Sequence, residues 1–238
     1  MQFLYLLESI RCPALDAVFR FITELGGELV YMALAITVYW CVSKGLGFYI
    51  LTTGFVGTIA NQFMKLCFRI PRPWVLDPDF TIVESARAGA TGYSFPSGHT
   101  QNAFSSFGCL GMWTKRGWRV LCFAIVVLIG LSRMYLGVHT PLDVGVAFAM
   151  GLVLILVLYP LFRDIEQHPK RMYGIIGGMI VLTIAYLCYV ELWPFPEDID
   201  AENLASGIEN GYKLLGAASA MLLSYWLDQR DIRFETQA

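Results

Sequence analysis

Apolar residues gather in long runs along this chain, and short polar stretches separate the runs. A helix that crosses a hydrocarbon core of about 30 Å needs roughly 20 mostly apolar residues. Seven windows approach that length, and they cover residues 26–43, 46–64, 99–114, 119–136, 141–162, 172–193 and 211–227. The pattern predicts an all-α polytopic membrane protein, with a bundle of six to seven transmembrane helices in residues 26–228.

The two ends of the chain have a different pattern. Residues 1–25 mix apolar stretches with charged side chains and contain Pro13, which favours an N-terminal amphipathic segment lying at the membrane interface. An eighth, charged span is the alternative for this segment. Residues 229–238 are predicted to form a cytoplasmic tail.

Composition agrees with a membrane setting. The chain has 238 residues, of which 56% are hydrophobic and 15% are charged. About a quarter of the residues are charged in an ordinary soluble domain. A net charge of −2 gives no reason to expect nucleic acid as a partner. The membrane setting indicates lipids as partners, with a lipid phosphate as the substrate.

The basic residues of the short loops predict an orientation. In a seven-span arrangement, the loops containing Lys44, residues 115–119, residues 163–171 and residues 230–233 fall on one side, which the positive-inside rule makes cytoplasmic. The acidic loop 194–210 falls on the opposite side. Several cations on that opposite side break the rule, so we expect them to serve another purpose. They are Lys65, Arg69, Arg72, Arg87 and Arg133.

Three short motifs lie in the non-cytoplasmic loops that flank the predicted hairpin 99–136. Lys65 is followed after six residues by Arg72-Pro73, and then comes Pro96-Ser97-Gly98-His99. The third motif is Ser132-Arg133, five residues, His139, three residues and Asp143. Most of the reactive side chains of the chain lie in these loops.

These residue types fit the handling of a phosphoryl group. Transfer of such a group depends mainly on positioning and on stabilising charge at the phosphoryl oxygens, for which Lys65, Arg72 and Arg133 supply three cations. Arginine suits bidentate contact with phosphate, whereas lysine acts as a point charge. Ser97 and Gly98 precede a predicted helix, where free backbone N–H groups bind anions and the serine hydroxyl adds a donor.

The third motif pairs an imidazole with a carboxylate. Pro141 is a typical first residue of a helix, so Asp143 is expected in the first turn, from which it can reach back to His139. A carboxylate on one ring nitrogen fixes the tautomer and leaves the other nitrogen free to attack phosphorus. A metal site is the rival interpretation, but three cations near the two histidines would repel a divalent metal, and we expect none.

Taken singly, each residue also has an ordinary structural explanation. Arg133 could extend to the membrane interface, Asp143 could cap a helix, and His99 could be a polar residue within a helical bundle. Their joint occurrence in order favours a catalytic site.

Together, Lys-x6-Arg-Pro, Pro-Ser-Gly-His and Ser-Arg-x5-His-x3-Asp resemble the three signatures of the type-2 phosphatidate phosphatase superfamily, which includes lipid phosphate phosphatases, glucose-6-phosphatase, bacterial acid phosphatases and vanadium haloperoxidases. Every fixed position is filled. The resemblance implies that His139 becomes phosphohistidine, that Asp143 orients it, and that His99 protonates the leaving oxygen and later helps to activate water. It assigns phosphate binding to the remaining motif residues Lys65, Arg72, Arg133, Ser97 and Gly98, and it implies no cofactor.

The expected function is hydrolysis of a lipid phosphomonoester or diphosphate at the extracytoplasmic face. The compact length favours a bacterial plasma membrane, with undecaprenyl diphosphate as the first candidate substrate. Phosphatidate, phosphatidylglycerol phosphate and long-chain-base phosphates are the alternatives. A lipid phosphotransferase would use the same residues and stays open. A non-enzymatic lipid carrier also stays open, although binding alone needs neither the nucleophile nor the acid.

Overall fold

A computed structural model describes residues 1–236, and all regular elements within that range are helical. The α-helices in chain order are α1 (Gln2–Ser9), α2 (Pro13–Glu24), α3 (Glu28–Cys41), α4 (Lys44–Phe68), α5 (Pro73–Leu76), α6 (Gly98–Ala103), α7 (Cys109–Trp113), α8 (Arg116–Tyr135), α9 (Pro141–Phe162), α10 (Pro169–Leu192) and α11 (Ala201–Leu227). The predicted all-α fold is confirmed. The last two residues of the predicted cytoplasmic tail, 237 and 238, lie outside the described range.

Each of the seven apolar windows coincides with a helix or, for residues 99–114, with a helical segment. Three helical stretches are long and apolar enough to cross a membrane, and they are Arg116–Tyr135, Pro141–Gln167 and Pro169–Leu192. A fourth span would be the pair α2 and α3, which is bent by 45°. The protein is therefore a helical membrane protein, and the count of six to seven spans stays a prediction.

Local sequence signals explain where the helices near the motifs begin and end. Pro13, Pro141 and Pro169 stand at the starts of α2, α9 and α10, where a missing N–H costs nothing. Helix α4 ends at Arg69, whose φ of 50° is left-handed, and prolines follow in the next turn. The chain that carries Arg72 is consequently irregular.

Helix α4 is the centre of the bundle and packs against α3, α6, α9, α10 and α11. A Cβ added at Gly47 or Gly54 would collide with a tyrosine of α3, so these glycines allow the two helices to approach closely. Tyr49 on α4 donates a hydrogen bond to the carbonyl oxygen of Ile155 on α9 at 2.5 Å. These contacts hold the first half of α4 in the bundle, and Lys65 lies in its last turn.

A helical segment runs through residues 98–113, because the π-helical turn Phe104–Gly108 joins α6 to α7. It packs against α4, α8 and α9. Gly98 and His99, the first residues of this segment, therefore lie next to the end of α8 and the start of α9.

The N-terminal segment packs onto the end of α8. Arg11 donates from Nε to the carbonyl oxygen of Tyr135 at 2.9 Å and from Nη1 to that of Thr81 at 2.8 Å. The hydroxyl of Tyr135 donates to Asp16 at 2.8 Å, and its ring stacks on Phe19. Residues 1–25 are thus part of the folded domain beside the third motif, and their place relative to the membrane interface stays a prediction.

Candidate active site

The three sequence motifs meet at one end of the bundle. The end of α4, the irregular chain after it, the start of α6 and the junction of α8 with α9 supply the residues. The backbone N–H of Ser97 donates to the carbonyl oxygen of Asp143 at 3.2 Å, which joins the second motif to the third. Arg72 contacts His139, which joins the first motif to the third.

Arg72 is buried and held in place by the backbone. Its Nε donates to the carbonyl oxygen of Gly92 at 2.9 Å, and its Nη2 donates to that of Thr91 at 2.7 Å. Its Nη1 lies 3.0 Å from the carbonyl oxygen of Val138 and 3.0 Å from Nε2 of His139. The guanidinium therefore has one position, directly beside the imidazole.

This contact determines the tautomer of His139. A guanidinium has only donors, so Nε2 of His139 must accept the bond from Arg72 and carry no proton. The ring proton of the neutral imidazole is then on Nδ1. Burial, followed by the positive charges of Arg72 and Arg133, lowers the pKa of His139 well below its ordinary value of 6.5. His139 is accordingly a neutral ring with a lone pair on Nε2, which is the form that can attack phosphorus.

Asp143 lies on the other side of the imidazole. Its side chain is fully buried, and its Oδ2 is 3.5 Å from Nδ1 of His139. The same oxygen accepts from the backbone N–H of Thr140 at 2.7 Å, while the Thr140 hydroxyl accepts from the N–H of Asp143 at 3.2 Å. This reciprocal pair is a capping box at the start of α9. Asp143 is thus a helix cap and a partner of His139 at once, and its distance to Nδ1 is of the kind that tightens when substrate binds.

Ser94 belongs to the same group, although it stands outside the three motifs and was not predicted from the sequence. Its side chain is fully buried, and its hydroxyl donates to Oδ2 of Asp143 at 2.5 Å and lies 3.4 Å from Nδ1 of His139. The backbone N–H of Ser94 donates to the carbonyl oxygen of Ile70 at 2.8 Å, which holds the loop against the end of α4. The one available sequence signal is the position of Ser94 three residues before Ser97.

The second motif forms the start of α6. Ser97 is its N-cap, and the Ser97 hydroxyl oxygen accepts from the N–H of Thr100 at 3.4 Å and from its hydroxyl at 2.9 Å. The proton of that hydroxyl is therefore available to another acceptor. Apart from the adjacent backbone, no atom of residues 1–236 lies within 4 Å of a Cβ added at Gly98, so an anion can approach the backbone there. His99, the next residue, is partly exposed.

The remaining two cations approach from different helices. Arg133, near the end of α8, is 2% exposed, and its Nη1 donates to the hydroxyl oxygen of Thr23 at 2.9 Å. Its Nε has no hydrogen-bond partner within residues 1–236. Lys65, in the last turn of α4, lines a cleft that also reaches Gly98. The charges of Lys65, Arg72 and Arg133 all act on His139.

Within residues 1–236, no group of three His, Cys, Asp or Glu side chains converges as a metal-binding set. The metal-free reaction expected from the sequence remains a prediction for experiment. The site combines a neutral imidazole with an unprotonated nitrogen, a buried carboxylate, a second histidine and three cations, and this combination suits transfer of a phosphoryl group.

The chain is similar to known lipid phosphatases. Residues 43–167 match the PAP2 superfamily, and they include every predicted site residue. The chain is 29% identical to phosphatidylglycerophosphatase B of Bacillus subtilis over 68% of its own length and 80% of that protein. It is 31% identical to undecaprenyl-diphosphatase BcrC of the same species over 59% of its own length and 71% of that protein.

A solved structure is similar as well. The crystal structure of Aquifex aeolicus LpxE aligns with a TM-score of 0.56 and 28% identity, covering 66% of this chain and 92% of that one. The chain belongs to the PAP2 superfamily. It is an enzyme of the phosphatase class, a phosphoric ester hydrolase.

Proposed function

We propose that this protein removes phosphate from a lipid phosphomonoester or diphosphate through a phosphohistidine intermediate. The observation that carries the proposal is the contact between Nη1 of Arg72 and Nε2 of His139 at 3.0 Å, which leaves that ring nitrogen unprotonated beside a cation. The relatives support the substrate class, since phosphatidylglycerophosphatase B and undecaprenyl-diphosphatase are named for phosphorylated lipids.

In the first step, the Nη1–H of Arg72 turns from Nε2 of His139 to a phosphoryl oxygen, and the freed lone pair of Nε2 attacks phosphorus. An N–P bond forms while the P–O bond to the leaving group breaks. The electron pair of that bond goes to the leaving oxygen, which takes a proton from His99. The step requires His99 to be protonated in the substrate complex, where the anionic phosphoryl group offsets the charges of the nearby cations. The imidazole ring gains positive charge in this step. Asp143, whose Oδ2 is 3.5 Å from Nδ1, stabilises that charge and keeps the ring oriented.

In the second step, a water molecule attacks phosphorus, and His99 takes one of its protons. The N–P bond breaks, its electron pair returns to Nε2 of His139, and inorganic phosphate leaves. In both steps Lys65, Arg72 and Arg133 stabilise the negative charge on the non-bridging oxygens. Ser97 and the backbone at Gly98 donate to the same oxygens.

A cleft supports a substrate with an apolar tail. It encloses about 440 Å³ between α3, α4, α6 and α11, and Lys65 and Gly98 line its end nearest the motifs. The rest of its lining includes a set of apolar side chains, namely Met32, Ile36, Leu51, Phe55, Leu214 and Met221. A lipid that enters sideways between the helices would keep its chain against these residues while its phosphate meets the cations.

The finer expectations from the sequence belong to the same proposal. Undecaprenyl diphosphate is the first candidate substrate, and phosphatidate, phosphatidylglycerol phosphate and long-chain-base phosphates are the alternatives. The bundle has six to seven spans in a bacterial plasma membrane, with the active site on the extracytoplasmic face. The cations of the site support this orientation because all three are among those that break the positive-inside rule.

The test is release of inorganic phosphate from a panel of these lipids by the purified protein, with and without a chelator. We expect release from at least one lipid, unchanged by the chelator, and no release by His139→Ala. His168→Ala is the matched control, because His168 lies in the loop after α9 at the opposite end of that helix and its side chain is about half exposed.

Three outcomes would contradict the proposal in different parts. Phosphate release by His139→Ala at the wild-type rate would exclude His139 as the nucleophile. Loss of activity with chelator would refute the metal-free mechanism. Radiolabelled phosphate that appears on a second lipid in place of free phosphate would identify a phosphotransferase.

A further inference from the structure

The C-terminal turn of α2 contacts the helix that carries Arg133. Thr23 is 4% exposed, and its hydroxyl oxygen accepts a hydrogen bond from Nη1 of Arg133 at 2.9 Å. The two residues are 110 positions apart in the chain. Thr23 also lies outside residues 43–167, which match the superfamily. A segment outside the family match thus touches one of the three phosphate-binding cations.

A second contact holds the chain just after this turn against α6, the helix that carries His99. Gly26 lies one turn after Thr23, and a Cβ added there would stand 2.8 Å from the carbonyl oxygen of His99 and 2.7 Å from Cγ2 of Ile129. The absence of a side chain at Gly26 allows this close approach. The turn is therefore wedged between the start of α6 and the last part of α8, and Thr23 has little freedom to move away from Arg133.

The contact limits how Arg133 can present its charge. A guanidinium has five N–H donors in a rigid planar fork. With Nη1 directed to Thr23, the edge formed by Nε and Nη2 remains, and Nε has no hydrogen-bond partner within residues 1–236. That edge is suited to bidentate contact with a phosphoryl group. A long arginine side chain would otherwise sample several rotamers and lose entropy on binding.

The acceptor for Arg133 is an uncharged hydroxyl, and this affects the charge available to the phosphoryl group. A carboxylate in place of Thr23 would also orient Arg133, but it would neutralise the charge that the phosphoryl group needs. A threonine hydroxyl orients the guanidinium and leaves its charge intact.

We infer that Thr23 is a positioning residue for the phosphatase reaction, which acts by holding Arg133 with its Nε–Nη2 edge towards the phosphoryl group. The inference rests on the proposed function for the identity of the reaction. It makes the N-terminal helices part of the active site and extends the site beyond the three motifs.

The test compares Thr23→Val, which has nearly the same shape and no acceptor, with Thr23→Ser, which keeps the hydroxyl. Affinity for inorganic phosphate is measured by ³¹P line broadening, and kcat and KM are measured with a lipid phosphate. We expect Thr23→Val to weaken phosphate binding and to lower kcat/KM by about tenfold, as for one hydrogen bond to a charged group. Thr23→Ser should keep both near the wild-type values.

Two further variants separate positioning from general structure. Thr183→Val removes another fully buried hydroxyl, which donates to the carbonyl oxygen of Met179 one turn earlier in α10, and it should leave phosphate affinity unchanged. In an Arg133→Lys background, Thr23→Val should cause no further loss of phosphate affinity, because the guanidinium that Thr23 orients is gone.

The inference is overturned if Thr23→Val binds phosphate as well as wild type, if Thr23→Ser loses as much as Thr23→Val, or if the loss keeps its full size in the Arg133→Lys background. Failure of the proposed function is a separate result. In that case the wild-type protein releases no phosphate from any lipid of the panel, whereas the phosphate-binding measurements can still be made.

Discussion

Replacing Ser94 by alanine tests whether its hydroxyl helps Asp143 to orient His139, the proposed nucleophile. The Ser94 hydroxyl donates to Oδ2 of Asp143 at 2.5 Å, and within the described part of the chain the only other hydrogen-bond donor on that oxygen, apart from His139, is the backbone N–H of Thr140. The other carboxylate oxygen, Oδ1, has no partner there. Ser94→Ala therefore removes one of the two short bonds that hold the carboxylate beside the imidazole.

The size of the effect follows from the charge of the acceptor. A hydrogen bond to a charged group contributes about 1.5–3 kcal/mol. If the bond is needed in the transition state, its loss corresponds to roughly a 10- to 150-fold drop in kcat/KM. We expect most of the drop in kcat, because the phosphate-binding cations are unchanged and the orientation of His139 affects the attack on phosphorus.

The assay is steady-state release of phosphate from a lipid phosphate in detergent micelles, together with thermal unfolding of each variant. Ser106→Ala is the matched control. Ser106 is also fully buried, but its hydroxyl donates to the carbonyl oxygen of Asn102 within the same helical segment. We expect Ser106→Ala to keep the wild-type kcat/KM.

A folded Ser94→Ala enzyme with wild-type kcat/KM would refute the reasoning, since the bond would then be irrelevant to the reaction. An equal loss in Ser106→Ala would assign the effect to the removal of any buried hydroxyl.

Two other predictions concern the protonation of the His139 ring and the packing of α4 against α6. The ¹⁵N spectrum of the His139 ring should be that of a neutral imidazole protonated on Nδ1 at pH 6.5, because its pKa lies below that value and Nε2 accepts from Arg72; a charged ring or a proton on Nε2 would contradict the assigned tautomer. Gly57→Ala should lower the free energy of unfolding by about 1–3 kcal/mol, since the new methyl group collides with the Gln101 side chain. Gly178→Ala, which meets open space in α10, should instead be neutral or raise it by about 0.4–1 kcal/mol, and the opposite order in thermal unfolding would refute the packing argument.

Features that depend on neighbouring residues could be predicted from the sequence. The apolar windows coincide with helices because, in an apolar setting, a segment must satisfy its own backbone hydrogen bonds, and a helix does so. The reach of Asp143 back to the motif histidine also followed from local signals, since Pro141 starts α9 and places the aspartate in the first turn. The motifs identified the family, and the roles given to their residues stay predictions for the variants described above.

Features that depend on distant packing could not be predicted. Ser94 and Thr23 meet their partners across 49 and 110 positions of the chain, and neither stands in one of the recognised motifs. A buried serine or threonine can satisfy its hydroxyl in many ways, so its residue type does not indicate a partner. The position of the N-terminal segment beside α8 likewise depends on tertiary contacts of Arg11, Asp16 and Phe19.

The capping box at the start of α9 has a consequence for how this protein can lose its activity over evolution. The carboxylate of Asp143 bonds to the backbone N–H of Thr140 as well as facing His139, so its loss would remove half of the capping box in addition to the role proposed for it beside His139. Helix α6, in contrast, is capped by Ser97 and not by His99. A descendant that had ceased to be an enzyme would therefore be expected to drop His99 early and to retain Asp143 long after its catalytic use had ended.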